Sequence, residues 1–176
     1  MYSADNVAHQ AADPNNAMNA QAVLMEAKRT FFENVFLDLV SKLDVEESNG
    51  VTYLDNSFVY WTQESGSTTH DPISLPIVAA GSAAGVFETG QYIDYRNRNS
   101  LAVAVDYLPE YGLLRPGITH SRFLATVLQA CGLPPSEFER PGERGYGLPL
   151  VDNAEAWPQA MLDDASEMLP VLTKVG

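Results

Sequence analysis

A short polar segment, residues 63–72, holds the side chains of this sequence whose types and spacing best suit chemistry. Glu64, His70 and Asp71 bring two carboxylates and one imidazole onto the same segment. A carboxylate and an imidazole can share a divalent ion such as Zn, Ca or Mg, with Asp71 as a third ligand and other groups completing the coordination. The three could instead form an acid/base set. The alternative without chemistry is a solvated Glu64 and a His70 that caps the segment through hydrogen bonds.

The remaining reactive side chains have simpler interpretations. His120 lies at a predicted helix N-terminus, where the dipole disfavours its protonated form, so we expect a capping or surface role. Arg96 and Arg98 could meet an anion, but surface ion pairs are the default in so acidic a chain. The single cysteine, Cys131, is expected to be buried on the apolar side of a helix. No G-x-S-x-G elbow occurs, and no catalytic residue is assigned. An acidic helical face, expected to be solvated, consists of Asp163, Asp164 and Glu167.

Two predicted strands flank the 63–72 segment. Residues 57–62 are β-branched and aromatic, too short for a helix and apolar on both faces, which is typical of a central strand covered on two sides. Residues 75–80 form the second run, with Pro76 at its start because proline cannot donate to a sheet ladder. Functional groups of α/β sheets collect in loops after the carboxyl ends of strands. That rule points to residues 63–72.

Two helices are predicted. Apolar residues recur at helical spacing over residues 17–43, which indicates a long helix with a broad apolar face. A second helix follows Thr119, a good N-cap, and ends at Gly132, with Pro134 just beyond.

The rest of the chain is predicted more coarsely. Residues 1–20 form an irregular lead-in, and residues 21–176 one α/β domain that is part of a larger one. Residues 46–50 are expected to be a stop and loop, residues 91–95 a third strand, and residues 153–169 to hold a short helix. The order of elements predicts a layered sheet flanked by helices.

Charge excludes some partners. The net charge of −13 arises from 23 acidic and 10 basic residues, too few cations to replace the counterions of a nucleic acid. No apolar run approaches the roughly 18 residues that a membrane-spanning helix needs, so no membrane insertion is expected. Residues 1–19 show no basic region followed by an apolar one, so no signal peptide is visible.

Several spaced motifs carry a resemblance to a known family. They are LDNSFVYW (54–61), ESG (64–66), THD (69–71), LPIVAAG (75–81), GITH (117–120), FL (123–124) and LQACGLP (128–134). Together, over residues 31–147, the chain resembles a family of unknown function. Its members are exported with twin-arginine leaders and are similar to the alkaline phosphatase/sulfatase superfamily.

The resemblance implies a fold and an activity. The chain would be the C-terminal part of an alkaline phosphatase-like fold, from a metal-dependent hydrolase of phosphate or sulfate esters. In the superfamily the preceding half carries the nucleophile and several metal ligands, so the isolated chain would be inactive. The superfamily's Asp-His-Gly ligand series reads Glu64-Ser65-Gly66 here, which leaves His70 to supply the imidazole.

Partners and location follow from the same resemblance. The expected partner is an N-terminal half or a second copy of the chain. The expected location is the periplasm or the extracellular space if a leader precedes the chain. One alternative is a non-catalytic exported binding or structural module of the same fold, with an exposed apolar face where the other half docks. Another is a self-contained cytoplasmic domain.

Overall fold

A computed structural model describes residues 17–63, 75–96, 117–139 and 166–174. The chain divides into two compact units, Met1–Gly81 and Ser82–Gly176.

The first unit begins with a long helix, as the apolar periodicity predicts. Helix α1 (Ala17–Phe31) runs into a π-helical segment (Phe32–Leu37) and then into α2 (Asp38–Leu43). The sequence did not indicate the π-helical segment, which is a rare geometry. Within it, the rings of Phe32 and Phe36 stack with centroids 5.2 Å apart, and Phe36 is buried.

A small hairpin follows the helix, where only a stop and loop was predicted. Strand β1 (Glu46–Ser48) pairs antiparallel with β2 (Val51–Thr52). Asn49 and Gly50 connect them with φ of 50° and 79°. Two successive residues with positive φ are typical of a type I′ turn, for which Asn-Gly is the favoured pair. The loop prediction was therefore wrong, and the Asn-Gly dipeptide was the overlooked signal.

The two strands predicted around the 63–72 segment are confirmed, each two residues shorter at its start. Strand β3 (Val59–Thr62) pairs antiparallel with β4 (Ile77–Ala80). Pro76 directly precedes β4, as expected, and its carbonyl oxygen accepts a 2.9 Å hydrogen bond from Thr62 Oγ1. The helices and antiparallel strands make a mixed α/β chain.

The predicted layering is not observed in the described residues. There the strands form two separate two-stranded sheets, and all four residues of β3 are half-buried rather than covered on both faces. Phe32, the first residue of the π-helical segment, packs on the β3–β4 sheet. Its ring centroid lies 5.3 Å from that of Trp61.

Gly81 ends β4 in a conformation that requires glycine. Its φ is +89°, and a β-carbon there would collide with the backbone carbonyl oxygens of Ser57 and Leu54. The close approach of these backbone segments therefore depends on the missing side chain.

The second unit is built around the second predicted helix. Helix α3 (His120–Ala130) is capped by Thr119, whose side chain accepts from the Arg122 N–H. The helix ends in a Schellman motif, in which Gly132 N donates to Gln129 O at 2.9 Å and Leu133 N to Leu128 O at 3.1 Å. A four-residue helix, α4 (Pro135–Phe138), follows. The helix prediction and its stop signal are confirmed.

The core of this unit joins α3 to distant segments. Phe123 and Ala125 are buried on α3, together with Phe87 and Leu169. Phe87 forms an isolated antiparallel bridge with Thr173. The described residues of the core thus come from three separate stretches of sequence.

Three predictions in this unit need correction or fall outside the description. Residues 91–95 form no strand, and near their end Arg96 N donates to the side chain of Asp94, at 3.0 Å from Oδ1. Cys131 is exposed rather than buried, since it is the C-cap of α3 and lies past the helix's apolar face. Of the predicted helix within 153–169, the described residues 166–169 are not helical.

Candidate functional site

The three predicted metal ligands, Glu64, His70 and Asp71, lie outside the described residues. What the structure describes is the frame on either side of them. Thr62 and Ile77 are paired across β3 and β4. Both ends of the intervening segment are therefore fixed at the same end of one hairpin.

One cation beside this frame was missed by the sequence analysis. Lys28 Nζ donates to Gln63 Oε1 at 2.5 Å, which places an ammonium group next to the residue that precedes Glu64. Lys28 is four residues before Phe32, so both lie on the same face of the helix. Phe32 contacts Trp61 of β3, so Lys28 also faces the sheet. The sequence signal for this lysine is its helical spacing of four residues from Phe32.

The described residues offer no alternative metal centre. Within 17–63, 75–96, 117–139 and 166–174, no group of three or more His, Cys, Asp or Glu side chains could hold a metal ion.

A shallow apolar trough runs along α1 into the π-helical segment. We call it the α1 trough, and its lining residues are Ala22, Val23, Glu26, Ala27, Thr30, Phe31, Asn34 and Val35. Val23, Phe31 and Val35 are 45%, 49% and 47% exposed. At 100° per residue, Val23 and Thr30 lie about 140–160° around α1 from Lys28, on the opposite side of the helix. The broad apolar face predicted for this helix is therefore exposed to solvent along much of its length.

Charged side chains border the trough on one side. Arg29 bonds Glu26 at 2.7 Å and approaches Glu33 at 3.7 Å, and all three side chains are more than half exposed. The Arg29 hydrogen bond and charge hold the pKa of Glu26 below its usual value. Pairs this exposed contribute little to stability, so they mark the edge of the trough rather than support the fold.

Arg96 takes the surface role expected of it, whereas His120 neither caps α3 nor lies on the surface. His120 is the first residue of α3, half-buried, with its ring stacked on Phe123 at 5.7 Å, and burial lowers its pKa. Arg96 forms a surface ion pair with Asp94 at 2.7 Å. Glu167 is exposed, as predicted. Arg98, Asp163 and Asp164 lie outside the described residues.

Arg122 is a buried arginine that sequence reasoning overlooked. It is 8% exposed, and its guanidinium donates to two backbone carbonyls, from Nε to Glu167 at 3.0 Å and from Nη2 to Met168 at 3.3 Å. An arginine near a helix N-terminus gives no sign of burial in the sequence. Its partners are more than 40 positions away.

Comparison with known proteins adds no relative. No protein-family model, curated protein or solved structure matches the chain. Among the described residues, no helix has the length and apolar character needed to cross a membrane.

Proposed function

We propose that this chain is a non-catalytic binding or structural module of an exported protein. Its α1 trough would dock on the N-terminal half of the same protein. The observation that supports this function is the exposure of Val23, Phe31 and Val35, each close to half exposed on one helix. Exposed apolar patches larger than a few hundred Å² mark interaction sites in soluble proteins.

One argument favours an N-terminal half over a second copy as the occupant. The resemblance drawn from the sequence implies a family whose members carry such a half.

Hydrogen exchange along α1 tests the docking. The longer product of a reading frame that extends upstream of Met1 is compared with this chain, and backbone amides of residues 22–35 are followed by mass spectrometry. We expect at least ten-fold slower exchange in the longer protein. Equal rates, or the absence of an upstream frame, would refute the N-terminal half as the occupant.

A hydrophobic dye tests the trough itself. Anilinonaphthalene sulfonate should bind the chain, and a Val23→Ser/Val35→Ser variant should lose at least half of the fluorescence. Val51→Ser is the matched control, because Val51 is 39% exposed on the β1–β2 hairpin and outside the trough. If the control loses as much fluorescence as the trough variant, the dye is reporting general surface and the trough is not a docking face.

Metal-dependent hydrolysis is a second candidate, favoured by the geometry of the β3–β4 hairpin. Because Thr62 and Ile77 are paired, Glu64, His70 and Asp71 belong to one segment whose two ends meet at the same end of the hairpin. Glu64 and Asp71 would supply oxygen ligands and His70 a nitrogen, a set that suits Zn better than Ca or Mg. A bound divalent ion would polarise a phosphate or sulfate ester and activate water.

Elemental analysis and ester hydrolysis distinguish the two candidates. The metal hypothesis predicts a stoichiometric divalent ion in the chain, lost in Glu64→Ala/His70→Ala and retained in the type-matched control His9→Ala/Glu137→Ala. It also predicts hydrolysis of p-nitrophenyl phosphate or sulfate by the longer protein. Equal metal content in both variants would refute it, and absence of metal and hydrolysis together would support the binding module.

A further inference from the structure

Residues 166–174 lie across α3 as a strap held mainly through its backbone. Arg122 donates to the carbonyls of Glu167 and Met168, and Gln129 Nε2 donates to Ser166 O at 2.9 Å. Side chains of α3 thus contact main-chain atoms at three successive positions of the strap.

The same pattern continues along the strap. Leu169 N donates to Thr126 Oγ1 at 3.0 Å, and Tyr95 Oη donates to Pro170 O at 2.8 Å. Glu88 N then donates to Leu172 O at 2.8 Å, and Lys174 N to Val86 O at 3.0 Å. Recognition of a peptide through its backbone, with pockets for a few side chains, is a common binding mode.

Only two side chains of the strap are buried. Leu169 is 2% exposed and Thr173 9% exposed, whereas Val171 is 54% exposed. Val171 also adopts a φ of 70°, a strained conformation for a β-branched residue. The strap therefore combines one apolar anchor, Leu169, with a strained and exposed turn directly after it.

We propose that the strap is an exchangeable peptide seated in a binding cradle, and that the vacated cradle accepts the same segment from a second copy of this chain. The cradle consists of Tyr95, Arg122, Thr126, Gln129 and the backbone of Val86 and Glu88. Its ligand is the peptide of residues 166–174, which turns at residues 170–172 and has leucine at the anchor position. When tethered, the strap has an effective concentration of roughly millimolar, which suppresses exchange in the unmodified chain.

Peptide binding to the full chain tests the proposal. A fluorescent synthetic peptide of residues 166–174 is titrated into the wild-type chain and into Leu169→Ala, which removes the apolar anchor of the tethered strap and leaves the cradle residues unchanged. Binding is measured by fluorescence anisotropy. We expect the peptide to bind Leu169→Ala at least ten-fold more tightly than it binds the wild-type chain. The same peptide carrying Leu169→Ala should bind at least ten-fold more weakly. Thr126→Val, added to the Leu169→Ala chain, should reduce binding of the unmodified peptide.

Native-state hydrogen exchange of the wild-type chain tests the proposal without any substitution, and therefore also if Leu169→Ala fails to fold. The proposal requires the Leu169 and Lys174 amides to exchange together, at least ten-fold faster than the amides in the middle of α3. Exchange of strap and helix in one common step would overturn it, as would equal affinity of the peptide for the two chains. In either case the strap would be a fixed part of the core.

Discussion

Replacing Thr126 by valine should destabilise the second unit by about 1–3 kcal/mol, although the change preserves the shape of the side chain. Thr126 is fully buried. Its hydroxyl donates to Arg122 O at 2.8 Å and accepts from Leu169 N at 3.0 Å. Valine leaves the Leu169 N–H buried without that acceptor, and an unsatisfied buried group costs about 1–3 kcal/mol. The extra methyl group recovers only part of this.

Chemical denaturation monitored by far-UV circular dichroism measures the effect, with the free energy of unfolding extrapolated to water. Thr30→Val is the matched control, since Thr30 is an exposed threonine on α1 and its substitution should change stability by less than about 0.5 kcal/mol. Amide exchange at Leu169 should also accelerate in Thr126→Val. If Thr126→Val were as stable as the wild type, with Leu169 exchange unchanged, the hydroxyl would not be the partner that holds the strap.

Three further substitutions test other parts of the fold. Gly81→Ala should lower the free energy of unfolding by roughly 2–4 kcal/mol. Gly50→Ala is the control and should lower it by about 1 kcal/mol, because φ is also positive there but nothing lies within 4 Å of the added β-carbon. Similar losses in the two variants would refute the close backbone approach at Gly81. Thr119→Ala should lower the free energy of unfolding by about 1 kcal/mol because it removes the N-cap of α3, while Thr119→Ser should retain most of the stability. Urea titrations measure both variants, and equal losses of stability would contradict the capping role of Thr119. Because burial lowers the pKa of His120, the unfolded chain binds the proton more readily, so stability should fall as pH drops below about 6.5. Thermal melts between pH 7.5 and 5 should show a smaller fall for His120→Gln, and identical slopes would exclude His120 as the source.

Local signals predicted the elements that depend on local chemistry. Helix α3 has an N-cap at Thr119 and a left-handed stop at Gly132, and both are encoded by residue types next to the helix ends. The same holds for Pro76 before β4. The β1–β2 hairpin was missed although Asn49 and Gly50 encode its turn, because the polar residues before them suggested a loop.

Contacts between distant residues were beyond sequence reasoning. Periodicity showed that the helix over residues 17–43 has an apolar face, but not whether other residues cover it, and much of that face is exposed. Cys131 was misplaced because helical spacing was extended one residue beyond the last turn of α3. A single-residue error at a helix end is enough to move a side chain from the core to solvent.

The candidate metal ligands could be recognised in the sequence, whereas the cradle could not. The buried polar contacts of the cradle explain the difference. Glu64, His70 and Asp71 stand out in the sequence because their types suit metal binding, and their frame was predicted because β3 and β4 are apolar runs. Arg122 and Thr126 are ordinary helix residues whose roles arise only when residues 166–169 return to α3. The partners of Arg122 are backbone carbonyls, which every residue possesses. Residue types in the strap therefore carry no trace of this contact, and only the folded chain brings the cradle together.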